Sequence, residues 1–130
     1  MEQHKKIISE FINQLLKSMN KPFESTTELE RQILATFTFG AIHAQSILNH
    51  LSPSDVHALA IFTFITEFRY SSEQARAFID HLIQVSTNEN INPTTNAIIH
   101  RGIDGHKQFF ATDLPNLKKN LTEIFNVICG

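Results

Sequence analysis

Ile33-Leu34-Ala35-Thr36-Phe37-Thr38-Phe39-Gly40-Ala41-Ile42 and Ala58-Leu59-Ala60-Ile61-Phe62-Thr63-Phe64-Ile65 are the two stretches that decide the fold. Neither holds a charged side chain, and each is long enough for more than two helical turns. A helix that is apolar around most of its circumference belongs inside a bundle. Threonine is tolerated there because its hydroxyl can bond the carbonyl one turn back. The two segments are therefore expected to form a central apolar helical hairpin. Both contain Leu-Ala-x-Phe-Thr-Phe, at Leu34–Phe39 and Leu59–Phe64. Similar burial accounts for so short a string without an internal duplication.

Amphipathic helices are expected to surround that hairpin. Ile7, Ile8, Phe11, Ile12, Leu15, Leu16 and Met19 recur at helical spacing over residues 3–19, and Lys21-Pro22 ends the run. Ser25-Thr26-Thr27-Glu28 fits a capping box opening a second helix over residues 27–50. Ser52-Pro53-Ser54-Asp55 opens a third, to residue 69, and Ser71-Ser72-Glu73-Gln74 a fourth. Asn92-Pro93 caps a short fifth helix ending at Arg101. There Gly102 is expected in the left-handed position, with Ile103 folding back on Ile98 and Asp104-Gly105 restarting the chain. Asp113 opens the last helix, with Leu114, Leu117, Leu121, Ile124, Phe125 and Ile128 along one seam. The expectation is all-α: a single-domain bundle of six or seven helices over residues 1–130, with that seam packed inside.

Composition narrows the function. With 11 Lys and Arg against 13 Asp and Glu, the net charge of −2 excludes a strongly basic nucleic-acid binder, which needs clustered cations to neutralise phosphates. One cysteine, Cys129, excludes an internal disulfide framework and a Cys-rich zinc module, and suits a reducing cytosol. The N-terminus is polar and no apolar run approaches the ~20 residues of a membrane span, so neither export nor a membrane is expected. Eleven phenylalanines must each find a core, a partner or a pocket.

Motifs for chemistry are sparse. His4, His43, His50, His57, His81, His100 and His106 include no i, i+4 pair of the kind that holds zinc on a helix, so scattered structural histidines explain them best. Cys129 has no local histidine, and neither a nucleophile elbow nor a glycine-rich phosphate loop is present. No cofactor and no metal is expected. The densest polar stretch is Asn96-Ala97-Ile98-Ile99-His100-Arg101-Gly102-Ile103-Asp104-Gly105-His106. Helix-end chemistry accounts for each residue type: His100 and Arg101 favour a negative helix end, Gly102 the turn, and Asp104 the next cap. A recognition loop is the second reading and catalysis the third. Phe39, His43 and His50 follow one side of the second helix, either as a stacking and hydrogen-bonding patch or beneath another helix. Glu67-Phe68-Arg69-Tyr70 reads as a solvated helix end before an interface anchor.

Thr36-Phe37-Thr38-Phe39-Gly40, Pro53-x-x-Val56-His57-Ala58-Leu59 and the run Asn96–Gly105, with His100-Arg101-Gly102-Ile103-Asp104-Gly105 its most distinctive part, resemble the immunity protein 48 family of bacterial polymorphic toxin systems. The resemblance covers residues 27–128. It implies an all-helical cytoplasmic protein that is not an enzyme and that protects its producer by binding and occluding a cognate protein toxin, a nuclease being one candidate. The sites expected to meet that partner are Phe39, His43, His50, His100, Arg101, Asp104 and His106. The weak net charge departs from the strongly acidic inhibitors that steer basic toxins, so affinity would rest on local complementarity. Two alternatives stand beside this reading: a helical metal-dependent hydrolase built on the histidines and His100-Arg101-x-x-Asp104, and an adaptor dimerising through the Leu114–Ile128 seam.

Overall fold

Four helix starts in this chain are fixed by side chains that take up free backbone N–H groups, as the computed structural model, which describes residues 1–130, shows; the first and last helices begin without such a cap. Six α-helices follow in order: α1 (Glu2–Met19), α2 (Glu28–Leu48), α3 (Pro53–Thr66), α4 (Ser72–Thr87), α5 (Pro93–Phe110) and α6 (Leu114–Ile128), with no strand. Ser52 accepts from the Asp55 N–H at 3.2 Å and Asn92 from the Thr95 N–H at 3.1 Å, each followed by a proline in the first turn. Ser71 and Gln74 form a reciprocal box.

The box opening α2 lies two residues later than Ser25 and Glu28. Phe23–Ser25 coils into a short 3₁₀ turn, and Thr27 becomes the cap, its hydroxyl accepting from the Glu30 N–H while Glu30 accepts from the Thr27 N–H at 2.8 Å. Lys21 grips both oxygens of the same carboxylate at 3.0 Å. The Thr27 N–H, with Lys21 behind it, holds the Glu30 carboxyl below its ordinary range.

α2 is the enclosed arm of the apolar hairpin, buried from Ile33 to Ile42 without a break. α3, its other arm, is covered on one side only: Leu59, Ala60, Thr63 and Phe64 are buried while Phe62 is exposed under the Lys5 ammonium, 4.1 Å from the ring centre. The Thr36 and Thr63 hydroxyls bond the carbonyls of Gln32 and Leu59, one turn back.

The most intimate partner of α2 is α5, and this corrects the expected break at Gly102. α5 is one uninterrupted helix, and no glycine in the chain has positive φ. Gly40 and Gly102 instead let two backbones touch. A Cβ on Gly40 would overlap the Ile99 carbonyl oxygen, and one on Gly102 the Phe37 carbonyl oxygen. One turn on, Gly105 leaves room for the Phe37 ring. Each mid-helix glycine costs about 1 kcal/mol against alanine, so its place here is set by packing.

Phe11 stacks on Phe37 at 6.0 Å and meets Phe109 edge-on, while Phe64, Phe68, Tyr70 and Phe78 form a second aromatic group between α3 and α4. Of the eleven phenylalanines only Phe62 and Phe110 stay exposed. Of the last-helix seam, Leu117, Leu121 and Ile124 are buried, Phe125 and Ile128 half-buried and Leu114 exposed, so the adaptor reading keeps little contact surface. No helix is long and apolar enough to cross a membrane.

Candidate interaction surface

Because α5 is continuous, the dense polar stretch is divided by helical phase. Asn96, Ile98, Ile99, Gly102, Gly105 and His106 face the core, while His100, Arg101, Asp104 and Lys107 are exposed. Asn96 is satisfied by donating to the Val85 carbonyl at 2.9 Å. Arg101 lies two turns before the helix end, so the macrodipole does not explain it. Its guanidinium donates to Asn120 Oδ1 at 3.2 Å and stands 3.9 Å from the Glu123 carboxylate. Asn120 is buried on α6 and returns two bonds, to the Arg101 carbonyl at 2.9 Å and to Gln108 Oε1 at 3.1 Å. The α5–α6 seam is thus stitched by one asparagine beneath an exposed arginine.

Two concavities run along this seam. The first, about 360 Å³, is mostly apolar and lies among Thr94, Ala97, Ile98, Ile124, Val127 and Ile128. The second, about 410 Å³, is lined by no hydrophobic residue and includes Asp104, Lys107, Gln108, Asn116, Lys119 and Asn120. Arg101 and Glu123 border both. Such a face can bury an apolar side chain at one end and ion-pair at the other.

A separate groove of about 510 Å³ lies between α2, α3 and α4, with Phe39, Val56, Ile79 and Ile83 in its lining and His43 and His57 among its polar residues. His57 is 3.9 Å from Asp80. His43 is exposed, but Phe39 is only 7% exposed and belongs to the core, against the expected outward patch. His50 lies past the end of α2 in a left-handed turn with φ 53°, so it does not continue the helical phase of Phe39 and His43.

His106 is likewise an interior group, 1% exposed, because its phase points inward with Gly102 and Gly105. Its Nε2 meets Gln45 Oε1 at 2.8 Å, and Gln45 Nε2 meets His4 Nδ1 at 2.9 Å, which links α5, α2 and α1. With Gln45 oriented so, the His106 proton sits on Nε2, and its Nδ1 lone pair has no partner. The flipped amide would move that proton to Nδ1, where no acceptor exists. Burial pushes the His106 pKa below its ordinary 6.5. Phe110 lies over the ring at 4.6 Å.

Nowhere do three His, Cys, Asp or Glu side chains gather so as to hold a metal, which leaves the hydrolase alternative without a ligand set. Cys129 is free and exposed. The residues missed from sequence are Lys107, Asn116, Lys119, Asn120, Glu123 and Val127. Their signal was there: Asn116, Asn120 and Glu123 on α6, and Ala97, Arg101, Asp104 and Gln108 on α5, follow helical spacing. The second stripe was hidden by the expected break at Gly102.

Among curated proteins and among solved structures, none matches this chain. One family model does, described as Immunity protein 48, and it spans residues 2–129, nearly the whole length. A match of that extent shows that the chain belongs to the immunity protein 48 family.

Proposed function

We propose that this protein binds a cognate protein toxin in the cytoplasm of its producer and neutralises it by occlusion, without turning over a substrate. The match across residues 2–129 carries this reading. The surface is consistent with it: exposed ionic and apolar side chains border shallow grooves that a partner's side chains can enter. Of the expected contact residues, His43, His50, His100, Arg101 and Asp104 are exposed and available to a partner, while Phe39 and His106 support the surface from within. A net charge of −2 gives little long-range steering, so binding relies on local anchors. A nuclease is one candidate class of toxin.

The test is co-expression with the product of the adjacent toxin gene. The expected result is a stable one-to-one complex and survival of cells making that toxin. A neighbouring product that neither co-purifies nor is neutralised overturns the proposal.

A further inference from the structure

The proposed function leaves open which face is used and what it grips. We infer that the α5–α6 seam is the docking surface, and that its occupant is a toxin segment carrying an apolar side chain flanked by carboxylates. This rests on the proposed function for the identity of the partner, but the face and its chemistry follow from the seam.

Val127 is 84% exposed, the most exposed of the large apolar side chains, and it stands beside the apolar cleft between α5 and α6. An apolar residue so placed is covered at low cost by a partner side chain entering the cleft. Arg101 and Glu123 border both the apolar cleft and its polar continuation, so the next residue of an inserted segment arrives at charged groups.

The polar half holds three cations, Arg101, Lys107 and Lys119, against the two carboxylates of Asp104 and Glu123. This local excess is positive in a chain whose net charge is −2. Arg101 is already paired with Glu123, whereas Lys107 and Lys119 make no ion pair within the chain. Asn116, which also borders the polar half, lies in the first turn of α6, a helix whose start has no side-chain cap. The Asp113 carboxylate there accepts from the Asn116 amide at 2.7 Å, so the attraction for an incoming carboxylate rests on Lys107 and Lys119. A second copy of the chain fits less well, since its own seam offers only the carboxylates of Asp104 and Glu123 to three cations.

The test uses the full chain and the toxin encoded beside it, with binding measured by calorimetry at two salt concentrations. Val127→Asp and the double variant Lys107→Glu/Lys119→Glu change exposed positions, and circular dichroism checks that both stay folded. Each is expected to weaken binding at least tenfold, and the charge-reversed variant should lose the salt dependence of the parent. His57→Ala, in the α2–α4 groove, serves as the comparison and should bind normally. Parent-like binding by both seam variants overturns the assignment of the face while leaving toxin binding intact. Tighter binding by Lys107→Glu/Lys119→Glu would mean a basic occupant and refutes the stated chemistry. A concentration-dependent dimer of the lone chain that Val127→Asp dissolves would replace the toxin by a second copy. Failure of the unaltered protein to bind defeats the proposed function itself.

Discussion

Gly40 on α2 and Gly102 on α5 face each other so closely that a Cβ built on Gly40 lies 3.1 Å from the Gly102 Cα, and one built on Gly102 lies 3.2 Å from the Gly40 Cα. Both hypothetical atoms also collide with main-chain carbonyls, which cannot swing aside as a side chain can. Exchanging an exposed mid-helix glycine for alanine usually stabilises by about 1 kcal/mol. Here the sign is reversed. Gly40→Ala and Gly102→Ala should each destabilise by about 1–3 kcal/mol through forced separation of the helices. Gly105→Ala, which meets the Phe37 ring, should cost less. Urea unfolding of the three variants checks the order.

The buried histidine makes stability depend on pH. Its folded pKa lies below the ordinary 6.5, so between those two values the unfolded chain binds more protons than the folded one. The contribution of His106 is therefore complete above about pH 6.5 and declines as the solution is acidified. Glu30, lowered from 4.5, adds a further loss only below that value. His106→Leu should flatten the first limb while leaving the second. Urea midpoints at pH 7.5, 5.5 and 4 separate them.

The register of the α2 cap is open to a direct comparison. Thr27→Ala removes an acceptor for the Glu30 N–H and should lower stability by about 1 kcal/mol. Ser25→Ala, in the preceding 3₁₀ turn, should change little. Equal losses at the two positions would contradict the observed box.

Arg101→Ala divides binding from folding. Its guanidinium is exposed, and Asn120 keeps its bonds to the Arg101 carbonyl and Gln108 after truncation, so thermal unfolding should register less than about 1 kcal/mol. An interface arginine commonly costs ~2 kcal/mol or more. Toxin affinity measured on the same preparation should thus fall much further than stability.

Most of the architecture could be read from residue types alone, because caps and apolar periods are local signals. Ser52, Ser71 and Asn92 were found as caps by their own chemistry and the residues just after them. α5 was not legible. Gly102 as a stop and Gly102 as a crossing point look identical until the opposing Gly40 is known, and that pairing spans 62 positions of chain. The candidate surface suffered from the same ambiguity. Breaking the helix after Arg101 hid the common face of Arg101, Asp104 and Gln108 and made His106 seem a loop residue. His50 was misplaced for a smaller reason: its left-handed turn takes it out of phase just after α2 ends.

α5 separates two kinds of evolutionary freedom. Its glycine side tolerates almost no replacement, since any added atom wedges the bundle apart. Its outer side carries Asp104 and Lys107, exposed charges that form no ion pair within the chain and whose exchange leaves the interior untouched. If the proposed toxin contact is made there, a lineage confronted with a new antagonist can rewrite those outward letters, one at a time, on a frame that need not be reinvented.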